Sequence, residues 1–328
     1  MKILFYSSQS YDKESFELAN KKHHFQIEFL DAHLNPKTAL LASGYDVVCV
    51  FVNDDLGSET IKALCETGVR LVALRCAGYN NVDLDSAKTC GLEVVRVPEY
   101  SPYAVAEHAC ALILTLNRKT HKAFNRTRES NFKISGLKGF DMHGKTVGII
   151  GCGRIGKIAA KIFSGFGMKV LVCDPMYKLD QEYIKVVELD TLLAESDIIS
   201  LHCPLNKTTK HMINTETISK MKTGVMLINT SRGALIDTKA VIKGLKSQKI
   251  GYLGIDVYEE EADLFFEDHT GMIMTDDILA RLLTFPNVLV TGHQAFFTNE
   301  AVTKIAEVTL ENIKAFSESK KLENAVIA

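Results

Sequence analysis

The sequence predicts an α/β protein made of two successive parallel-sheet domains. Three observations lead there. The chain has 328 residues, and at about 150 residues per domain that length suits two. Short apolar, β-rich runs alternate with amphipathic segments from end to end, and the alternation starts twice, at Lys2 and again at Lys145. A glycine-rich turn joins the first strand of the second series to its first helix. Apolar strands alternating with helices mean βαβ units, a parallel sheet and helices on both faces.

The first series reads as strands Lys2–Ser7, Gln26–Leu30, Val47–Val52, Leu71–Cys76 and Glu93–Val97, with helices such as Ser58–Glu66 and Asp85–Thr89 between them. Pro98 and Pro102 interrupt the pattern. Tyr103 to Leu116 then carries apolar residues at Val105, Ala109, Leu112 and Leu116, a helical spacing. Residues 117–143 are polar and basic and read as a solvated helix followed by a loop. The second series has six strands: Thr146–Ile150, Lys169–Cys173, Ile198–His202, Val225–Asn229, Tyr252–Val257 and Asn287–Thr291. Six is the count of a doubly wound dinucleotide-binding sheet. The last helix, Glu300 to Ser317, has apolar positions at Ile305, Val308, Ile313 and Phe316. It is expected to pack back on the first domain.

Composition narrows the class. Lys plus Arg is 38 against Asp plus Glu 40, a net charge of −2. That balance gives no support for a nucleic-acid or polybasic membrane partner. Met1 to Phe5 is too short for a signal-peptide core, and Ala104 to Leu116 falls short of the roughly 20 apolar residues of a membrane span. The eight cysteines are scattered, with no C-x-x-C pair, and read as reduced thiols of a cytosolic protein. No metal is expected. Cys152, His202, Cys203 and His293 are the nearest to a ligand set, and they lack the close ligand pairs of zinc sites.

Gly151-Cys152-Gly153-Arg154-Ile155-Gly156 is the strongest local signal. It follows the strand Val147-Gly148-Ile149-Ile150 and precedes a helix read as Lys157 to Phe166. Gly151 allows the tight turn, Gly153 lets backbone amides approach a pyrophosphate, and Gly156 lets helix and strand pack closely. The helix N-terminus supplies unpaired N–H donors to the phosphates. Asp174 stands 18 residues after Gly156, at the end of the next strand. A carboxylate there binds ribose hydroxyls and repels a 2′-phosphate, which favours NAD over NADP.

Later strand ends carry Ser231-Arg232-Gly233, then Asp256 with Glu259, Glu260 and Glu261, then Gly292-His293-Gln294. Ligands of open α/β sheets bind beyond these ends. An Arg can hold a carboxylate bidentately, a His can protonate a carbonyl oxygen, and a Glu can orient the imidazole. His108 and His202 are the other candidate acids. His108 sits within a helix-like stretch, and His202 ends a strand beside Pro204, where cofactor contact is as plausible as catalysis.

Over essentially its whole length the chain resembles the D-isomer-specific 2-hydroxyacid dehydrogenase family. The matching elements are Gly151 to Gly156 with Asp174, Ser200 to Leu205, Asn229-Thr230-Ser231-Arg232-Gly233, Asp256 to Glu261, and Gly292-His293. Within the family it looks most like the fermentative D-lactate branch. That choice rests on Arg75 to Asp83, Tyr100-Ser101-Pro102 with Glu107-His108, Asp256 to Glu259, Asp263 to Asp268, and His293-Gln294-Ala295-Phe296. The resemblance implies that Arg232 binds the substrate carboxylate and His293 is the general acid. Its partner is Glu261, since the family's glutamate lies five residues after the aspartate. The resemblance also implies that Ala77 and Gly78 amides, with Tyr100, complete the carboxylate site, and that Phe51, Tyr100 and Phe296 surround the substrate side chain. Arg154, Ile155, Asp174, Cys203, Pro204, Thr230, Ser231 and Asp256 would line the cofactor. Two departures distinguish branches without removing a functional group: Gly292 and Ala262 stand where many relatives have proline.

The implied architecture is two Rossmann-like or flavodoxin-like domains with an interdomain active-site cleft. Residues 1–100 plus 297–328 would bind substrate and 101–296 would bind NAD. The implied reaction is reversible NADH-dependent reduction of pyruvate to D-lactate in a cytoplasmic homodimer or homotetramer. Related enzymes act on larger 2-keto acids, glyoxylate or hydroxypyruvate. The same fold also serves as an NADH-sensing regulatory protein, but no basic or interaction tail supports that use here.

Overall fold

A computed structural model describes residues 1–177, 180, 182–261 and 264–326. The chain divides into two compact units, Met1–Ser101 with Phe297–Ala328, and Pro102–Phe296. Each is an α/β unit with an all-parallel sheet among the described residues.

The first unit begins with β1 (Lys2–Phe5), α1 (Ser10–Asn20), β2 (Gln26–Phe29), β3 (Val47–Val50), α2 (Ser58–Glu66), β4 (Leu71–Leu74), α3 (Leu84–Thr89) and β5 (Glu93–Arg96). The strand order is β2-β1-β3-β4-β5, the flavodoxin-like winding. Every residue of β3 and β4 is buried. That is why both strands are unbroken apolar runs: helices cover both faces, so no position can be polar without cost. Asp83 ends the approach to α3 by accepting a hydrogen bond from the Ser86 amide.

The second unit starts with α4 (Pro102–Arg118) and α5 (Thr120–Arg128). It continues through β6 (Thr146–Ile150), α6 (Arg154–Gly165), β7 (Lys169–Cys173), β8 (Ile184–Val186), α7 (Leu189–Glu195), β9 (Ile198–Leu201), α8 (Thr215–Lys220) and β10 (Val225–Asn229). It closes with α9 (Thr238–Lys246), β11 (Ile250–Ile255), α10 (Asp277–Leu283) and β12 (Val288–Val290). The order β12-β11-β10-β9-β6-β7-β8 places the winding reversal between β6 and β9. Alternation along the strands separates two cores. Val170, Val172, Ile198, Met226 and Ile228 face α4 and α6, while Leu171, Ile199, Leu201, Leu227 and Leu253 face the other side. The α4–α6 packing rests on small residues: Ala106, Ala109, Ala159 and Ala160 are wholly buried.

This sheet has seven described strands, one more than the sequence pattern predicts. The additional strand, β8, is three residues, Ile-Lys-Val, paired only to β7 at the edge. So short a segment, with a lysine at its centre, carries too little periodicity to announce itself. The glycine-rich turn's helix begins at Arg154, three residues before the sequence reading places it. The last helix, α11 (Asn299–Ser317), belongs to the first unit and packs on α1 and β4.

Candidate active site

The turn after β6 is shaped by what a side chain would meet. Gly151 has φ +93°, and a Cβ there would stand 2.5 Å from the Cys203 amide nitrogen. A Cβ on Gly156 would lie 2.0 Å from the Gly151 carbonyl oxygen. Gly153, by contrast, faces open space, leaving room for a ligand over the N-terminus of α6. Arg154, exposed, and Ile155, half-buried, open that helix. The Asp174 carboxylate accepts hydrogen bonds from the Cys152 amide at 2.6 Å and the Met176 amide at 2.7 Å, so it braces the turn while keeping further lone pairs. Burial raises the Cys152 and Cys203 thiols, the latter to about 11, so both stay neutral. Pro204 is exposed beside Cys203. Thr230 is buried, and its Oγ1 has no partner among the described residues. An open glycine cradle, a helix N-terminus, a ribose-spaced carboxylate and an orphaned hydroxyl fit a dinucleotide such as NAD.

At the end of β10, Asn229 folds the next turn back on itself. Its side chain accepts from the Ser231 amide at 3.0 Å and donates to the Arg232 carbonyl at 2.8 Å. The Ser231 hydroxyl donates to the Cys203 carbonyl at 2.7 Å. Arg232 is thereby presented half-buried, with Nη1 donating to the Ser231 carbonyl at 2.7 Å. Among the described residues no carboxylate pairs with its guanidinium, so the remaining donors are open to an anion.

His293 Nδ1 lies 2.9 Å from Glu261 Oε1, and the Glu261 Oε2 accepts from the Tyr258 amide at 2.8 Å. Both side chains are more than four-fifths buried. The imidazole's Nε2 is left as the working atom. His293 has φ +54°, a left-handed conformation held from below. Its amide donates to the Asp256 carbonyl, while the Asp256 carboxylate accepts from Thr291 Oγ1 at 2.5 Å and from the Gln294 and Ala295 amides. Asp256 is fully buried. Burial acts to raise its carboxyl, but hydrogen bonds from His108, Thr291, Ala295 and Gln294 prevail and hold it below the ordinary aspartate value. The structure thus gives Asp256 the task of holding the histidine loop. His108, weighed as an acid from sequence, faces Thr291 at 3.1 Å and Asp256 at 3.4 Å from α4. His202 bonds Ser200 at 2.9 Å, and burial lowers it to about 4, so it is neutral. Ala262 and Asp263 lie outside the described residues.

In the first unit, Phe51 is buried, with its ring 4.6 Å from the Arg75 guanidinium. Neither the Ala77 nor the Gly78 amide donates a hydrogen bond among the described residues. The Ala77 carbonyl accepts from Arg96 Nη1 at 2.8 Å. Tyr100 is half-buried. Phe296 is buried at the end of the second unit. Sequence reasoning passed over two residues of the second unit, His211 and the role of Glu259. The signal that could have found them is weak, a lone histidine and the first of three glutamates.

Residues 110–295 match the sequence profile of the D-isomer specific 2-hydroxyacid dehydrogenase, NAD binding domain. The chain is 53% identical to a 2-hydroxyacid dehydrogenase homolog of Haemophilus influenzae, with 100% of this chain and 99% of that one covered. It is 50% identical to the D-lactate dehydrogenase of Escherichia coli, with both chains covered in full at 100%. The apo-structure of D-lactate dehydrogenase from Escherichia coli superposes with a TM-score of 0.90 at 47% identity, again over 100% of both chains. With a dinucleotide cradle, an open guanidinium and a buried His–Glu pair on one sheet's carboxyl edge, and relatives of this identity end to end, the chain belongs to the D-isomer specific 2-hydroxyacid dehydrogenase family.

Proposed function

We propose that this NAD-dependent dehydrogenase reduces pyruvate reversibly to D-lactate. The observation that carries the reading is the Arg232 guanidinium, without a carboxylate partner among the described residues, on the same sheet edge as the His293–Glu261 pair, in a chain half identical to a D-lactate dehydrogenase over its full length. Arg232 holds the carboxylate of the 2-keto acid. The open amides of Ala77 and Gly78, with Tyr100, are assigned to the same carboxylate. Gly151, Gly153, Gly156, Arg154, Ile155, Asp174, Cys203, Pro204, Thr230 and Ser231 hold NAD. When bound, NADH supplies the hydride that the carbonyl carbon takes up. His293 gives the proton at Nε2 to the carbonyl oxygen, and Glu261 fixes the ring by its bond to Nδ1 and carries the charge that balances imidazolium. Phe51, Tyr100 and Phe296 limit the side chain to about a methyl group.

The test is NADH oxidation against a panel of 2-keto acids, with chiral analysis of the product. Pyruvate is expected to give the highest kcat/KM and D-lactate the sole product. 2-Ketobutyrate should trail by about 1–3 kcal/mol, the worth of one methylene. A preference for phenylpyruvate, 2-ketoisocaproate, glyoxylate or hydroxypyruvate, or an L product, overturns the reading. Arg232→Lys keeps the charge and loses the fork, so KM for pyruvate should rise at least about tenfold.

Two further assignments belong here. Helix α5 has no buried residue, and Phe124, Phe132 and Ile134 around it are exposed. This supports assembly through the second unit into a homodimer or homotetramer, which sedimentation would measure. Among the described residues no helix is long and apolar enough to cross a membrane. That, with eight free cysteines, supports a cytoplasmic location.

A further inference from the structure

A second His–Glu pair lies two residues from the first along the same loop. His211 Nε2 is 2.5 Å from Glu259 Oε1, and Glu259 Oε2 accepts from Thr238 Oγ1 at 3.1 Å. Neither side chain belongs to the machinery described above. The chain segments that carry them flank the one that presents Arg232. On one side, the His211 amide donates to the Ala234 carbonyl at 2.8 Å and the Ile213 amide to the Leu235 carbonyl at 3.1 Å. On the other, Gly233 is pressed against the glutamate loop so closely that a Cβ would stand 2.1 Å from the Tyr258 carbonyl carbon. Thr238, the hydroxyl that Glu259 holds, opens α9 directly after this segment. The Arg232 turn is therefore clamped between the 211–213 segment and the 258–259 backbone, and the Glu259 carboxylate joins the two jaws.

We infer that Glu259 and His211 are positioning residues that set the placement of the Arg232 guanidinium relative to the His293–Glu261 pair. The inference rests on the carboxylate-binding role proposed for Arg232. The physical reason is that a 2-keto acid carries its carboxylate and its reacting carbonyl on adjacent carbons. The anion fork and the proton donor must then be fixed to each other within a fraction of an ångström. Glu259 is two residues from Glu261 in the chain and is bonded to Thr238, directly after the Arg232 segment, and to His211, whose backbone pairs with that segment, so it is the short link between the two groups. A carboxylate can accept from both His211 and Thr238. An amide in its place keeps one acceptor oxygen and turns a donor toward the other partner.

The experiment measures pyruvate KM, kcat, NADH KM, the inhibition constant of oxamate and the melting temperature for Glu259→Gln, His211→Ala and His211→Gln. The first two substitutions are also made in an Arg232→Lys background. Glu259→Gln and His211→Ala should raise pyruvate KM and the oxamate constant together by about 5–50-fold, with NADH KM unchanged. His211→Gln restores an Nε donor at similar reach and should recover most of the loss. In the Arg232→Lys background the same substitutions should add less than about twofold, because the group they position is already gone. Unchanged oxamate binding in a folded Glu259→Gln overturns the inference. So does full additivity with Arg232→Lys, or a parallel rise in NADH KM. If Arg232→Lys itself leaves pyruvate KM unchanged, the carboxylate reading fails and this inference with it.

Discussion

At the carboxyl edge of the first sheet, Arg75, Asp12 and Asp54 are 1%, 5% and 1% exposed, and their bonds run inward. Arg75 donates to the Ser7 carbonyl at 2.7 Å, faces Asp12 at 3.5 Å and lies over the rings of Phe5 and Phe51. Asp54 accepts from Ser7, Leu34 and Phe51 and ties three loops together. At the same edge of the second sheet, Arg232 is only half-buried and has no carboxylate partner among the described residues, and His293 keeps Nε2 open. The two sheets share parallel strands and crossover helices. They differ in whether the charges at their ends are enclosed with an opposite charge of the same unit: Arg75 is buried against Asp12, although its Nε and Nη1 make no hydrogen bond among the described residues. A charge buried against an opposite charge of its own unit supports the fold, whereas one half-buried without such a partner is ready for a ligand.

The sharpest way to break this contrast is to truncate one group at each edge. His293→Ala should lower kcat by about 10²–10⁴-fold while NADH still binds and the melting temperature stays near wild type. A near-normal rate would end the acid–base assignment. Arg75→Met should do the reverse. It strands the buried Asp12 without its cation, so a urea titration should show a loss of about 3–5 kcal/mol. A variant as stable as wild type would mean that the buried network holds nothing.

One group at the second edge behaves like those at the first, and its pH response sharpens the comparison. His202 is held neutral by burial, with its proton affinity lowered from 6.5 to about 4. Between those values the unfolded chain takes up a proton that the folded chain refuses. Stability therefore falls as pH drops through that window, by at most about 3 kcal/mol from this group. Melting followed from pH 7 to 4.5 should show His202→Asn losing less than wild type. Equal slopes would remove His202 as the cause.

The smallest effect is expected at Asp174. Its carboxylate braces the Cys152 amide as well as standing at the proposed ribose position, so Asn is the informative replacement: it keeps an acceptor and removes the charge. Asp174→Asn should narrow the NADH-to-NADPH ratio of kcat/KM by about tenfold. Asp174→Ala should also raise NADH KM, through the loosened turn. A ratio unchanged in both would assign ribose reading to another residue.

Much of this molecule was legible as pattern. The two βαβ series, the helix Ser58–Glu66 and the strands Thr146–Ile150, Lys169–Cys173 and Val225–Asn229 stand in the structure with the boundaries read from sequence. Burial on both faces enforces continuous apolar runs, and glycine and proline punctuate them. The glycine-rich turn was legible for the same local reason, since strand, turn, helix and acid follow one another in the chain. The three-residue β8 was not, because an edge strand is chosen by its neighbour more than by its own sequence.

Partnership was beyond the reach of pattern. Nothing in the order Glu259-Glu260-Glu261 says that the third meets His293, the first His211, and that the second is left to line the surface; a resemblance was needed to choose among them. His293 and Glu261 are separated by 32 positions, Asp256 and Ala295 by 39, and His108 and Thr291 by 183. Such contacts exist only once the sheet's winding brings strand ends side by side. The local chain thus settled the elements and the nucleotide turn, because those depend on neighbours within a few residues. Which ionisable groups became buried struts and which kept an open valence was settled by folding, because burial and hydrogen-bond satisfaction are properties of the packed molecule.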